Sequence, residues 1–395
     1  MANPIRHRGG RDLDLDDVTD DLMRWQGRWA EQASRLRAEG RFRTLGPEGD
    51  APFCHNDYLG LRRDPRIVQA VRDALDEGLP LTSSGSRLLS GNLEMFRRFE
   101  QEFAEASALP VALLFGSASE ANRVAISALV GRRDLVLHDE LAHASLIDGV
   151  VQSGAARRKF RHNAPDDLRE ALRSSETSGI RLVVTESVFS MDGDKAPLAD
   201  LHEVCREAGA LLLVDEAHAV GLWGAGRTGL AETLPRDGVL VATTHGFGKA
   251  LASSGGMLCT LPEIVEAVVN TSRAFIFTTA PSPLAVAAAR AAWDVARSDT
   301  ARREHLDALC HRLAGGLAGL GWALPGRGET PIFPLLCGGL ERAVALSDAL
   351  HRRGIPLRPI RPPTVPAGSE RLRATVSADL SLETIDSFLE ILRAV

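Results

Sequence analysis

Lys249 stands in Thr244-His245-Gly246-Phe247-Gly248-Lys249-Ala250, just past the apolar run 239–242, and a second apolar run, 210–214, ends in Asp215-Glu216-Ala217-His218. A primary amine on a glycine-rich turn and a carboxylate at a strand end are what one cofactor needs. Pyridoxal 5′-phosphate takes a lysine as its Schiff-base partner and an acid to keep its ring nitrogen protonated. Each residue alone has a plainer reading: a single lysine is more often a surface residue, and His143 or His218 more often a satisfied structural histidine. Their joint appearance with Asp215 after successive strand ends points to the chemistry.

The elements that must position them follow from hydrophobic periodicity. Apolar runs at 111–115, 135–138, 180–185, 210–214, 239–243 and 257–260 read as buried strands, with helical patterns at 118–130, 166–174 and 198–208 between them. Such alternation predicts an α/β fold with a mainly parallel sheet covered on both faces, in which ligands bind beyond the carboxyl ends of the strands. Ser117, His143, Glu186, Asp215 and Lys249 all follow such ends. Ahead of this region, residues 16–40 read as a polar amphipathic helix carrying Leu22, Trp25, Trp29 and Leu36, and 46–52 as a turn-rich link. Beyond Pro281 the pattern changes to long helices at 284–296 and 302–320, extended pieces at 331–336, 356–360 and 372–376, and a closing helix at 382–394. The expected division is an N-terminal helical segment over 1–55, a large cofactor-binding α/β domain over 56–285 and a small α+β domain over 286–395.

The bulk properties narrow the partners. The 395 residues are 44% apolar and 25% charged, ordinary for a globular chain, and the net charge of −6 offers no basic field for nucleic acid. The cluster Arg157-Arg158-Lys159 reads as a solvated face. No stretch approaches the ~18–20 uninterrupted apolar residues of a membrane span, and residues 1–20 are charged and polar without an export segment. Five cysteines, odd in number and without Cys-x-x-Cys spacing, suggest reduced thiols and a cytoplasmic protein.

Rival motifs fail on spacing. Asp215-Glu216-Ala217-His218 spells the acidic box of a nucleic-acid-dependent ATPase, but the chain has no Gly-x-x-x-x-Gly-Lys-[Ser/Thr] phosphate loop. His138 and His143 are one residue too far apart for a His-Glu-x-x-His zinc helix, so no metal is expected. No serine sits in a Gly-x-Ser-x-Gly elbow.

Ordered along the chain are Asn56-Asp57-Tyr58-Leu59-Gly60-Leu61, Ser84-Gly85-Ser86-Arg87, Gly91-Asn92, His143-Ala144-Ser145, Asp148-Gly149 and the long segment Thr185-Glu186-Ser187-Val188-Phe189-Ser190-Met191-Asp192-Gly193-Asp194. Val214-Asp215-Glu216-Ala217-His218, Phe247-Gly248-Lys249-Ala250, Phe277-Thr278-Thr279-Ala280, Arg361-Pro362-Pro363-Thr364-Val365-Pro366-Ala367-Gly368, Arg371-Leu372-Arg373 and Ser377-Ala378 follow. With these motifs the chain, from about 56 to 391, resembles the α-oxoamine synthase family of pyridoxal-phosphate enzymes.

The resemblance implies the fold-type I (aspartate aminotransferase-like) architecture and a homodimer with shared active sites. It implies that Lys249 holds the cofactor aldehyde and then removes the amino-acid α-proton, and that Asp215 pairs with the ring nitrogen. It further implies that His143 stacks on the ring, His218 and Ser190 bind the ring hydroxyl oxygen, Arg373 grips the amino-acid carboxylate, and Asn56 contacts substrate. Glu186 lies near the ring by position, without an assigned role. The reaction implied is a decarboxylating condensation of a small amino acid with an acyl thioester of coenzyme A or acyl carrier protein. The best-matching branch joins L-alanine to a pimeloyl thioester in biotin synthesis, and rivals use glycine with acetyl-CoA or build 5-aminolevulinate or sphingoid bases. A folded relative that has lost catalysis is the alternative of a different class.

Two positions depart from the family pattern. The usual hydroxyl residue three before the lysine is Gly246 here, and the start of the phosphate-binding helix reads Ser117-Ala118-Ser119. Helix N-terminal amides at Ala118 and Ser119 still suit a phosphate. Ser119, Thr244 or His245 is expected to supply the missing donor, with Thr279 of the partner subunit adding another. Arg43 or Arg41 is the expected contact for a distal carboxylate on the acyl chain.

Overall fold

A computed structural model describes the backbone of residues 15–45 and 51–395, and the side chains from Leu22 onward within that range. The polar start and residues 46–50 of the turn-rich link lie outside it. Helix α1, Leu15–Ala38, matches the expected amphipathic segment, with Leu22, Trp25 and Trp29 exposed on this chain. Helices α2 (Pro65–Asp76) and α3 (Glu94–Ala106) precede the main sheet.

Seven strands form that sheet: β1 (Val111–Phe115), β2 (Leu135–Asp139), β3 (Ala156–Phe160), β4 (Arg181–Glu186), β5 (Leu211–Asp215), β6 (Leu240–Gly246) and β7 (Gly256–Thr260). Their order is β1-β7-β6-β5-β4-β2-β3. The pairings among β2 to β6 are parallel, while β7 runs against both β1 and β6. The six strands expected from apolar runs are all present within a few residues.

Strand β3 was not legible. Its sequence, Ala-Arg-Arg-Lys-Phe, carries no apolar run, and Arg157, Arg158 and Lys159 are indeed exposed. As an edge strand it pairs with β2 alone, so its charges keep their water, and a charged edge also resists pairing with another chain.

Alternation along each strand assigns the two faces. Leu182, Val184 and Leu213 pack with Ala125, Ile126, Leu146 and Val150 of α4 (Ala118–Leu129) and α5 (Ala144–Ser153). Val183, Leu212 and Val214 pack on the opposite side with Phe99 and Phe103 of α3 and Trp293 of the helix Pro283–Ser298. Each fully buried side chain of this size contributes roughly 1.5–3 kcal/mol, so a one-residue slip in register would be costly. Glu186 lies two residues past Val184 on β4, and Asp215 two past Leu213 on β5. The same phase therefore puts both carboxylates on the α4–α5 face.

A second sheet of β8 (Ile332–Leu336), β9 (Pro359–Ile360) and β10 (Arg371–Thr375) is antiparallel in the order β8-β10-β9. The expected extended piece at 356–360 shrinks to the two residues of β9. Backbone bonds from Thr375 to the Phe53 carbonyl and from Ala378 to the Tyr58 carbonyl, both 2.9 Å, dock residues 53–58 against β10. Asn56 thereby reaches Arg373. No helix among the described residues is long and apolar enough to cross a membrane, and the five cysteines are free thiols.

Candidate active site

At the carboxyl ends of β4, β5 and β6, Glu186 pairs in register with Asp215, and Asp215 with Thr244. Above this row lies α4, whose first turn is closed by the side chains of Ser117 and Glu120. Ser117 Oγ accepts the Glu120 amide at 3.1 Å, and the Glu120 carboxylate accepts the Gly116 amide at 3.1 Å. One turn along, Asn122 points down from the buried stripe of the helix. Its amide nitrogen donates to Asp215 Oδ2 at 2.7 Å and to Ser145 Oγ at 2.9 Å, and its carbonyl accepts the Thr244 hydroxyl at 2.5 Å. Asp215 Oδ1 accepts the Ala217 amide at 2.8 Å. The carboxylate is thus oriented from two sides.

Ser145 continues the network to His143, the N-cap of α5. The Ser145 amide donates to His143 Nδ1 at 3.2 Å, with Ser145 Oγ 2.8 Å from the same nitrogen. That leaves the proton of the neutral ring on Nε2. Burial, opposed by Asp215, lowers the His143 pKa below the usual histidine range. His218 is driven well below that range by burial and by the charges of Lys249, Arg373 and His143. Its Nδ1 lies 2.7 Å from the hydroxyl of Tyr58, the chain's single tyrosine, which leaves Nε2 for the cleft.

Lys249 follows β6 on a turn anchored by fully buried Phe247, which packs on Phe99 and Phe103. Burial holds its ammonium below the ordinary lysine range, against the pull of Asp215 and Glu186. A depressed ammonium is what an amine needs to serve as nucleophile and base near neutral pH. Glu186 is the converse case. Burial and the neighbouring Asp215 raise its carboxyl well above the usual range, and its Oε1 is buried without a partner.

Lys249, His143, His218, Ser190, Asn56 and Arg373 line one cleft of about 1020 Å³. Arg373 is held by two neutral acceptors, the Ser190 carbonyl at 2.8 Å and Asn56 Oδ1 at 2.7 Å. Arg371, two residues away on β10, is instead paired with Asp192 at 2.6 Å. Of the two guanidiniums, Arg373 keeps its charge for an anion entering the cleft.

The expected donors divide unevenly. Thr244 spends its hydroxyl on Asn122. His245 faces the opposite side of the sheet, where Nε2 meets the Thr243 hydroxyl and Nδ1 the Thr228 carbonyl, each at 2.9 Å, against the edge of Phe103. Alternation along β6 puts it beyond reach, which corrects the expectation, and burial lowers its pKa to about 3. Ser119 is half-buried in the first turn of α4, beside the backbone of Ala118, where amides lack intrahelical acceptors. A Cβ on Gly246 would lie 3.0 Å from Ala217 Cβ and 3.2 Å from Ala118 Cβ, so a larger residue there would crowd this end. Thr279 is exposed on this chain. Arg43 is exposed at the rim, close enough for its charge to act on Arg361, which binds the Phe42 carbonyl at 2.6 Å and heads the 362–367 segment of the cleft wall.

The residues fit pyridoxal 5′-phosphate: a depressed lysine, an oriented carboxylate, an imidazole with its proton turned away from its cap, and a helix N-terminus cleared by small residues. The roles of Asn122, Ser145 and Tyr58 escaped the sequence reading. Asn122 alone left a trace, as a polar residue on an apolar helix stripe.

Along most of its length the chain is similar to known proteins of one family. The model of the family "Aminotransferase class I and II" matches residues 50–392. An 8-amino-7-oxononanoate synthase from Anaeromyxobacter dehalogenans is 41% identical over 373 residues, covering 91% of this chain and 93% of the relative. Another, from Pseudomonas entomophila, is 44% identical over 330 residues, covering 82% and 83%. A serine palmitoyltransferase structure from S. paucimobilis with a bound PLP–myriocin aldimine superimposes with a TM-score of 0.85 at 29% identity, covering 97% of this chain and 98% of that one. With the reach of these matches and the expected fold-type I sheet in place, the chain belongs to the class I and II aminotransferase family, within its α-oxoamine synthase branch.

Proposed function

We propose that the protein is a PLP-dependent acyltransferase that condenses L-alanine with a pimeloyl thioester, carried by coenzyme A or acyl carrier protein, to give 8-amino-7-oxononanoate for biotin synthesis, with release of carbon dioxide and the free thiol. The relatives named for this activity, 41% and 44% identical, support it. The observation that carries the site assignment is the convergence on one cleft of Lys249, His143, His218 and Arg373 held by neutral partners, with buried Asp215 close enough for its charge to act on Lys249 and His143.

When bound, PLP supplies an electron sink for charge developing at the amino-acid α-carbon. Asp215, oriented by Asn122 and the Ala217 amide, holds the proton of the ring nitrogen. Lys249 would hold the cofactor aldehyde through Nζ, and the same amine would take the α-proton of the substrate. Arg373 binds the substrate carboxylate through its planar fork, with Asn56 beside it. His143 would cover the ring face, and His218 Nε2 and Ser190 would bind the ring hydroxyl oxygen. The α4 amides at Ala118 and Ser119 bind phosphate, joined by Thr279 of the partner subunit in a homodimer. Arg43 meets the distal carboxylate of the acyl chain. We place the enzyme in the cytoplasm.

The structural likeness to serine palmitoyltransferase favours one second reading, L-serine with a long-chain thioester. The test offers glycine, L-alanine and L-serine, each with acetyl, pimeloyl and palmitoyl thioesters, and identifies products by mass. L-Alanine with the pimeloyl thioester is expected to dominate. Dominant turnover of L-serine with palmitoyl thioester would replace the first reading with the second, and no turnover by holoenzyme with any pair would reject both.

A further inference from the structure

His162 lies outside the residues assigned above, yet it bridges two walls of the cleft. Its Nδ1 is 2.9 Å from Asp139 Oδ1 and its Nε2 2.8 Å from Asp194 Oδ2, while its ring stands edge-on to buried Phe189 at 4.4 Å between centroids. With an acid on each nitrogen, both nitrogens donate, which requires the protonated ring. Burial works against that charge, but the bonds and charges of Asp139 and Asp194 outweigh it and push the pKa up to about 10. The ring therefore stays charged through the neutral range.

The two acids belong to different walls. Asp139 ends β2 and caps the turn toward His143 by accepting the Leu141 amide at 2.8 Å, while its other oxygen accepts the Asn163 amide at 2.9 Å. Asp194 closes the turn that carries Ser190. Its carbonyl accepts the Phe189 amide at 3.0 Å, and its Oδ2 also takes the Asn163 side-chain amide at 2.6 Å. The far side of that turn is fastened to the small sheet, where the Thr330 hydroxyl donates to the Gly193 carbonyl at 2.6 Å and a Cβ on Gly193 would collide with the Ile332 carbonyl. From this turn the Ser190 carbonyl aims one arm of Arg373, and Asp192 neutralises Arg371.

We propose that His162, by joining Asp139 to Asp194, is a positioning residue that sets the spacing between the His143 turn and the Ser190 turn, and through the Ser190 carbonyl the aim of Arg373 at the substrate carboxylate. The proposal rests on the assignment of Arg373 as the carboxylate-binding residue. It predicts a graded effect: the amino acid loses more affinity than PLP, which meets His143 and Ser190 on the two turns but is anchored by Lys249 and Asp215 on other elements.

The test compares wild-type holoenzyme with His162→Gln and Asp194→Asn, well below their melting temperatures. It measures PLP affinity, the dissociation constant of L-alanine from the change in cofactor absorbance, and kcat and KM for both substrates. His162→Gln is expected to weaken L-alanine about tenfold or more and raise its KM, with PLP affinity within about threefold of wild type. Asp194→Asn, which spares the Asp139 contact, should show a smaller shift of the same kind and keeps the test open if His162→Gln does not fold. Restoration of alanine affinity by Asp194→Asn in the His162→Gln background would add support, because it removes an uncompensated acid. Unchanged alanine binding in a folded His162→Gln or Asp194→Asn, or equal losses for alanine and PLP, would overturn the proposal. If wild-type holoenzyme binds no amino acid, the functional reading itself falls.

Discussion

At the ring end of the cleft Asp215, Asn122, Ser145 and Thr244 spend their polar atoms on one another, and His143 and His218 are each held through Nδ1 by a neighbouring residue. The end proposed for the phosphate is bare by comparison: the side chains nearest Gly246 are those of Ala217 and Ala118, beside the first turn of α4. One end is preorganised by side chains, and the other relies on backbone. A buried network loses function when any member is cut, since each cut strands its partners. A backbone site has no single side chain whose loss removes it, so its variants should be milder.

The largest expected loss lies outside that network. Lys249→Ala removes the residue proposed as both covalent anchor and proton acceptor, so kcat should fall by about 10³-fold or more, within what a positioned base and nucleophile supply. Borohydride reduction of holoenzyme should label Lys249 in wild type and nothing in the variant. Labelling of another amine would detach the ring end from the chemistry.

Next comes Asn122→Ala, which sharpens the comparison because Asn122 touches no proposed substrate. It strands Asp215 Oδ2 and the Thr244 hydroxyl in a buried site, at a cost of about 1–3 kcal/mol. If that cost falls on the transition state, kcat drops roughly ten- to hundredfold, with a modest fall in melting temperature. Wild-type kcat in a folded Asn122→Ala would mean that Asp215 is oriented well enough by the Ala217 amide alone.

The contrast between the ends also explains what the sequence could convey. The strands were legible because parallel strands buried on both faces are continuous apolar runs, and the strand-end residues because such sheets bind ligands there. Strand β3 was hidden by its charges, and His245 was misassigned because Gly-rich context does not reveal which face a residue takes once a strand extends to Gly246. Asn122, Ser145 and Tyr58 act by spanning elements 23 to 160 residues apart in sequence. No local pattern reports such pairings. The helix start at Ser117-Ala118-Ser119 was readable as a phosphate site, but the small residues that β6 brings beside it were not.

At the bare end Ser119→Ala is expected to weaken PLP by about tenfold, the value of one hydroxyl–phosphate bond at the lower limit for charged partners. Equilibrium dialysis of the apoprotein against PLP measures it. No change would mean that amides alone hold the phosphate, making the two ends still less alike, whereas a hundredfold loss would erase the distinction.

The smallest effect is expected farthest from the network, at the rim. Arg43 is solvent-exposed, and an ion pair made there is worth only about 0.2–1 kcal/mol because water screens it. Arg43→Ala should therefore raise KM for a pimeloyl thioester by no more than about fivefold, leave kcat unchanged, and leave an acetyl thioester, which lacks the distal carboxylate, unaffected. Added salt should shrink the difference between variant and wild type. A larger, salt-insensitive loss would require Arg43 to be buried on substrate binding, with the rim closing over the acyl chain. Chain-length selectivity would then reside in that closure rather than in the preformed cleft.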